Sequence, residues 1–268
     1  MYEFRVIFNL KGKFKYSFSD VVEYEDIKLR TEDGKIHGET SLLLERADIN
    51  LAREMAIEKI EKLTSLLTLI FKEGLIIENI NVIPVPTVTV IDRGREKVIE
   101  IHDYKQIKIE VEAHLEVYRK FSKEETDRIK AELRKLSSRV SELEHGKDLL
   151  RAIKWWRKGY FEEDKVDKFL DYYIVFEMLA SIMDYKKCEK SEEKCKTKCN
   201  WAERFAKDYS ITYEIIENAN LAYIRNKILH APGPEKDEAE KLAMRHADRF
   251  GIELLNAIKK IIDQGFQM

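Results

Sequence analysis

The chain has 268 residues, of which 44% are hydrophobic and 37% are charged, and its formal net charge is −2 at pH 7. This length suits two domains or one large one, and the apolar content is sufficient for a packed core. A net charge this small excludes a whole-molecule field that attracts nucleic acid or membranes, so a nucleic-acid contact requires a local basic patch. Because we find no signal peptide and no apolar run long enough to cross a bilayer, we expect a cytoplasmic protein without membrane contacts.

Lysine and glutamate supply most of the charge, and glutamine occurs only at positions 106, 264 and 267. Charge networks and few thermolabile amides are common in the proteins of thermophiles. The composition therefore indicates a thermophilic source, and it says nothing about activity.

Residues 1–120 show the alternating apolar pattern of half-buried strands together with one long helical stretch. The first predicted strands contain residues 4–10, 14–18 and 36–44. Asp48 or Asn50 can cap a helix that ends near Glu73, with Gly74 as its C-terminal stop. We therefore expect an α+β domain, of unknown role, in which one helix packs on a mainly antiparallel sheet.

More strands are predicted beyond this helix. Residues 88–91 and 97–101 flank Asp92-Arg93-Gly94-Arg95, which is a plausible hairpin turn. Residues 107–117 alternate most regularly, while Pro84 and Pro86 indicate an edge strand or a loop.

Residues 121–148 are predicted to form a connecting helix. Ser122 and Glu125 match a capping box at its start. A heptad stripe of about two repeats follows, formed by Ile129, Leu133, Leu136, Val140 and Leu143. So short a stripe favours packing on the chain's own core over a coiled coil with a second copy.

Residues 149–268 are predicted to be an all-α helical bundle. Gly146 separates the connecting helix from this part of the chain. The expected helices cover residues 149–158, 163–185, 200–208, 213–230 and 237–264.

The stretch Tyr-Ile-Arg-Asn-Lys-Ile-Leu-His-Ala-Pro at residues 223–232 carries the clearest candidate chemistry. Arg225 can hold a phosphate through two-pronged hydrogen bonds, and His230 can move a proton near neutral pH. Pro232 should end the helix near His230. On an ideal helix positions 225 and 230 lie about 140° apart. That separation is poor for one tight pair, but it is acceptable if the last turn unwinds or if two copies combine across a dimer.

Four stretches in this half of the chain resemble the helical HEPN domain, especially its Apea-like branch. They are Trp155-Trp156-Arg157-Lys158-Gly159-Tyr160, Asp167-Lys168-Phe169-Leu170, Phe176-Glu177-Met178-Leu179 and residues 223–230. The resemblance covers residues 149–262 and leaves the N-terminal domain outside it.

The resemblance implies a metal-independent endoribonuclease, in a defence or stress response, with a composite site across a homodimer and no cofactor. It places the catalytic Arg and His at Arg225 and His230, the polar residue after the Arg at Asn226, and an orienting acid at Glu177. Relatives regulated by nucleotidyl transfer carry a Tyr two residues after the His. Because Pro232 stands there, a nucleotidyltransferase partner is not expected.

Basic side chains suggest where RNA would lie. The candidate RNA contacts are Lys186, Lys187, Lys194, Lys198, Arg204 and Lys227. The segment 186–207 also fits a solvated loop between helices. A second basic cluster, Arg245, His246 and Arg249, fits a solvated helical face better than a binding site.

The three cysteines, Cys188, Cys195 and Cys199, lie close together but lack paired CxxC spacing. A zinc site would need a fourth ligand from elsewhere, and a disulfide with one free thiol is the other option. We favour a third alternative over both, in which the cysteines bind no metal and form no disulfide.

Two other functions remain open. One is a non-catalytic module that binds RNA or nucleotides, with recognition supplied by the N-terminal domain. The other is a defence-associated scaffold that acts through protein contacts, as the heptad stripe suggests.

Overall fold

The computed structural model describes residues 1–85, 89–92, 97–100, 118–185, 201–216 and 219–265. The chain divides into two compact units. The N-terminal unit comprises Met1–Thr64 and Leu75–Leu133, and the C-terminal unit comprises Ser65–Gly74 and Arg134–Met268. The first contains an antiparallel sheet with a helix and the second is mainly helical, so the predicted α+β class is confirmed.

A five-stranded antiparallel sheet organises the N-terminal unit. Its strand order is β3-β4-β5-β1-β6. The strands are β1 (Tyr2–Lys11), β3 (Val22–Tyr24), β4 (Ile27–Glu32), β5 (Lys35–Leu44) and β6 (Ile76–Pro84). On β1 the side chains of Phe4, Val6, Phe8 and Leu10 are buried, whereas the residues between them are exposed or half-buried. The alternation in the sequence therefore identified the face of this strand that enters the core.

Four strands outside this sheet form two separate pairs. Strand β2 (Lys15–Phe18) pairs in parallel with β9 (Tyr118–Phe121), and β7 (Thr89–Asp92) pairs antiparallel with β8 (Lys97–Glu100). Pro84 ends the edge strand β6, in agreement with its sequence signal. The predicted turn residues 93–95, Pro86 and the alternating run 107–117 lie outside the described residues.

Helix α1 (Ile49–Phe71) lies against the sheet of the N-terminal unit through its first half. The Asp48 carboxylate caps it by accepting hydrogen bonds from the backbone N–H groups of Asn50 and Leu51, each at 3.0 Å. Farther along, the Lys59 ammonium pairs with Asp26 in the β3–β4 turn and lies 3.3 Å from the Thr40 hydroxyl on β5. The predicted packing of one helix on the sheet is confirmed.

The end of α1 differs from the prediction. The helix stops at Phe71, and Lys72 takes the left-handed conformation with φ 56°. The Glu73 N–H then bonds to the Thr68 carbonyl at 3.3 Å, as in a Schellman motif. Gly74 does not end the helix. It leaves room for the Tyr160 ring, because a Cβ at this position would lie 2.5 Å from that ring.

Helix α2 (Lys123–Glu142) begins with the predicted capping box. The Ser122 N–H donates to the Glu125 carboxylate at 2.9 Å, and the Glu125 N–H donates to the Ser122 hydroxyl at 3.2 Å. Three members of the heptad stripe, Ile129, Leu133 and Val140, are buried without a second chain. The preference for packing within the chain is therefore confirmed.

The C-terminal unit contains five further described helices. They are α3 (Gly146–Phe161), α4 (Lys165–Ile182), α5 (Trp201–Asp208), α6 (Leu221–His230) and α7 (Pro234–Gln264). The predicted helical bundle is confirmed, with α3, α4 and α7 packed against one another. None of the helices in the described part of the chain is long and apolar enough to span a membrane.

A close contact at Gly251 joins three of these helices. The Trp156 indole N–H on α3 donates to the Gly251 carbonyl on α7 at 2.7 Å. A Cβ at Gly251 would lie 2.4 Å from the ring of Tyr172 on α4. Only glycine therefore allows the Tyr172 ring to approach α7 this closely.

The predicted helix over residues 213–230 is wrong in its first part. A short hairpin, β10 (Glu214–Ile216) with β11 (Ala219–Asn220), occupies that part, and the helix begins at Leu221. The β-branched Ile215 and Ile216 favour the strand. The Asn220 side chain accepts a hydrogen bond from the Tyr223 N–H at 2.8 Å, which fixes the helix start after the hairpin.

The capping box gives a direct stability test. Ser122→Ala should lower the free energy of unfolding by about 1 kcal/mol, because the Glu125 N–H loses its acceptor. Chemical denaturation measures the change. The control is Ser138→Ala, which is an exposed position in the same helix, and an equal loss in both variants would contradict the capping role.

Asp171 on α4 is a buried carboxylate that should make the stability of the protein depend on pH. It is 5% exposed, and its Oδ1 accepts from the Lys158 ammonium at 2.8 Å, while its Oδ2 has no hydrogen-bond partner among the described residues. Burial raises the pKa of this carboxyl above its ordinary value, although Lys158 opposes the shift. The folded state therefore binds this proton more readily than the unfolded state, and its stability falls as pH rises through the folded pKa.

Asp171→Asn should raise the free energy of unfolding at pH 7, by an amount on the order of 1 kcal/mol, because it removes a buried charge whose ion pair is half in water. The gain should disappear below the ordinary carboxyl pKa, where Asp171 is neutral in both states. Thermal unfolding between pH 3 and pH 7 tests this. The exposed Asp263→Asn is the control, and a gain that is independent of pH would contradict the explanation.

Candidate functional site

The candidate site is carried by α6, a ten-residue helix whose two ends are both defined. Asn220 caps its start, and Ala231 is extended with φ −87° and ψ 140° in front of Pro232. The expected end of the helix at His230 is confirmed. Gly233, with φ 65°, then turns the chain into α7.

One face of α6 packs into the bundle and the other is exposed. Leu221, Ile224 and Ile228 are buried, and Arg225 is half-buried at the border of this face. Asn226 and His230 are exposed. They are four residues apart and therefore lie on one side of the helix, about 40° apart around its axis.

The Arg225 side chain has two contacts that fix its position. Its Nη1 donates to the Asn226 Oδ1 at 3.0 Å. Its guanidinium carbon lies 5.8 Å from the ring centroid of Tyr173 on α4, which is 4% exposed. The guanidinium therefore rests on an aromatic face while it reaches toward the side of α6 that carries Asn226 and His230.

Tyr173 and Glu177 form the α4 side of this cluster. Burial raises the pKa of the Tyr173 phenol, the Glu177 charge and Tyr213 raise it further, and the Arg225 charge opposes the shift. Glu177 thus lies close enough to affect the phenol, one helical turn beyond it. Among the described residues Glu177 makes no ion pair with Arg225, so an orienting role would act through Tyr173.

His230 is the last residue of α6, and its side chain is exposed. Within the described part of the chain its imidazole has no hydrogen-bond or ion-pair partner. It lies about 7.5 Å along the helix axis from Arg225. The structure therefore brings Arg225, Asn226, Tyr173 and Glu177 together and places His230 one turn beyond Asn226.

Lys227, a predicted RNA contact, is already engaged. Its ammonium pairs with Glu235 in the first turn of α7 and lies 5.4 Å from the ring centroid of Tyr223. The Glu235 carboxylate raises the pKa of Lys227. Lys227 therefore ties the end of α6 to the start of α7, and RNA would have to compete with Glu235 for it.

The remaining predicted RNA contacts and the cysteines lie on α5 and in the segment before it. Arg204 is exposed on α5, whereas the predicted RNA contacts and cysteines within residues 186–200 lie outside the described residues. In the described ranges no group of three or more His, Cys, Asp and Glu side chains is arranged to hold a metal ion.

Tyr173 is a site residue that the sequence did not reveal. It lies on α4, 52 positions before Arg225, and only the folded bundle brings the two together. Its place four residues before Glu177, on the same helical face, is the one signal that could have suggested it.

A double-mutant cycle tests the Arg225–Tyr173 contact. Arg225→Met and Tyr173→Leu should each lower the free energy of unfolding. The double variant should lose about 0.5 to 1 kcal/mol less than the sum of the two single losses, because each single variant already removes the cation–π pair. Urea denaturation of the four proteins measures this coupling. Additive losses would show that the two side chains do not interact energetically.

Comparison with known proteins adds no family assignment to this geometry. The chain matches no family model, no curated protein and no solved structure.

Proposed function

We propose that this protein is a metal-independent endoribonuclease that acts as a homodimer through Arg225, Asn226 and His230. The observation that carries the proposal is the Arg225–Asn226 hydrogen bond of 3.0 Å. It directs the guanidinium toward the side of α6 on which His230 lies, although five residues separate the two. This reduces the main geometric objection to an Arg/His pair on one helix.

The chemistry needs no metal. The 2′-hydroxyl of the RNA attacks the adjacent phosphorus, so that a new P–O2′ bond forms and the P–O5′ bond breaks. A base accepts the 2′-hydroxyl proton and an acid protonates the departing 5′-oxygen. Arg225 stabilises the charge that accumulates on the non-bridging phosphate oxygens.

A homodimer would supply both proton-transfer groups. One imidazole cannot be base and acid in the same step, whereas two copies of His230 can share these roles. Two apolar side chains of α6, Leu229 and Tyr223, remain 47% and 39% exposed. They lie beside Asn226 and His230 and supply apolar surface for contact with a second copy.

A non-catalytic RNA-binding module is the second candidate. It is favoured by one observation, namely that His230 has no partner among the described residues to fix its ring and tautomer. General acid–base catalysis benefits from such a partner. This module would bind RNA without forming a product.

The test is incubation of the purified protein with end-labelled RNA in excess EDTA. We expect cleavage that leaves 2′,3′-cyclic phosphate ends, with rates at least about 100-fold lower for His230→Ala and Arg225→Ala. Light scattering at the same concentration should give the mass of a dimer.

Matched controls exclude a general effect of losing His or Arg. His37→Ala and Arg53→Ala change side chains of the N-terminal unit and should retain full activity. His230→Ala, His37→Ala and Arg53→Ala should keep the wild-type melting curve. Arg225→Ala loses its contact with Tyr173 and is therefore assayed well below its own melting temperature. Equal cleavage by His230→Ala and wild type, or a need for added metal, would contradict the proposal, and RNA binding without product would establish the second candidate.

A further inference from the structure

Helix α7 carries three neighbouring side chains that can bear positive charge, Arg245, His246 and Arg249, which we call the α7 basic cluster. They lie within five residues on α7. The sequence alone favoured a solvated helical face for them. Their contacts in the folded chain support a more specific role.

Arg249 is held in one orientation by a ring of hydrogen bonds. Its Nε donates to the Glu253 Oε1 at 2.8 Å, and its Nη2 donates to the Thr212 hydroxyl at 2.6 Å. Thr212 donates in turn to Glu253, through its hydroxyl and its backbone N–H, each at 2.8 Å. Both Glu253 oxygens are thus occupied inside the protein.

The guanidinium of Arg249 nevertheless faces water. Its side chain is 64% exposed, whereas that of Glu253 is 15% exposed. Nη1 has no partner among the described residues, so an ordered guanidinium edge remains open to a ligand. Because the side chain is already ordered, binding costs less conformational entropy than with a mobile arginine.

His246 lies between the two arginines in the sequence of α7. It is half-buried, and its pKa is lowered by burial first and then by the charges of Arg249 and Arg245, with Glu253 opposing. Both cations therefore act on the imidazole. Arg245 is exposed and has no ion-pair or hydrogen-bond partner in the described part of the chain.

Neighbouring carboxylates do not neutralise this cluster. Asp248 is three residues after Arg245 and lies about 60° from it around α7, but its carboxylate pairs with Lys165 and Lys168 of α4. Glu253 is saturated by Thr212 and Arg249. Two arginine charges thus face one internally bonded carboxylate, and the excess positive charge is open to solvent.

We infer that Arg245, His246 and Arg249 bind a phosphodiester group of RNA, at a position along the strand away from the bond cleaved at Arg225 and His230. The inference rests on the proposed RNA substrate. Donors on two guanidinium groups and one imidazole, all within five residues of one helix, suit the tetrahedral oxygens of a phosphate. Helices α6 and α7 pack against each other, so the cluster and the candidate cleavage site lie on neighbouring helices.

A contact of this kind positions RNA without reading its sequence. The phosphate backbone is the same at every nucleotide, so the cluster adds affinity equally for all RNAs. It should lower KM for RNA and leave kcat nearly unchanged, because it does not touch the reacting atoms.

The test is fluorescence anisotropy of labelled single-stranded RNA with the full-length His230→Ala protein in EDTA, over a range of salt concentrations. In that background Arg245→Gln should weaken binding about three- to ten-fold at low salt and reduce the slope of log K against log salt by about 0.7. Arg245 has no described structural partner, so this variant should fold normally. The matched control is Arg151→Gln, which changes an exposed arginine on α3 and should not alter affinity or slope.

The binding data and a phosphate titration distinguish the possible outcomes. Equal affinity and slope for Arg245→Gln and Arg151→Gln would overturn the inference, as would absence of RNA binding by the parent protein. A reduced slope in a protein whose wild type does not cleave RNA would support the inference while the nuclease proposal fails. Titration with inorganic phosphate identifies a free-phosphate site, and loss of phosphate binding in Arg245→Gln with unchanged RNA binding would overturn the assignment to RNA.

Discussion

The contact at Gly251 sets the spacing on which the C-terminal unit depends. The absence of a side chain there admits the Tyr172 ring against α7, and the freely accessible carbonyl accepts the Trp156 indole N–H. Helices α3, α4 and α7 are thereby held at a fixed separation. Because α6 contacts both α4 and α7, the distance from Arg225 to Tyr173 depends on that separation.

Local patterns in the sequence predicted those features that local interactions determine. The alternation in β1, the Ser122–Glu125 capping box and the end of α6 before Pro232 each involve neighbouring residues, and all are confirmed. The hairpin before α6 was missed because the apolar spacing of residues 213–220 also fits a helix. The Asn220 cap and the two isoleucines decide between the alternatives.

Features that require distant residues could not be predicted in the same way. Tyr173 meets Arg225 across 52 positions, and Thr212 meets Arg249 across 37. Tyr173 has only its spacing from Glu177 as a signal and Thr212 has none, because both contacts depend on tertiary packing and not on periodicity. Arg225, Asn226 and His230 were named from one helix, whereas Tyr173 and Thr212, which help to position the two arginines, come from other parts of the chain.

The position of His230 at the end of α6 makes its orientation depend on the contacts of the last helical turn. The imidazole sits on the final residue of a ten-residue helix, and the terminal turn is held by the buried Ile228 and by the Lys227–Glu235 ion pair with α7. Glu235 is 62% exposed, so dissolved ions weaken this tie readily. Salt therefore weakens one of the two contacts that hold the His230 end of α6, while the apolar contact of Ile228 and the hydrogen bond at Gly251 are much less sensitive to salt.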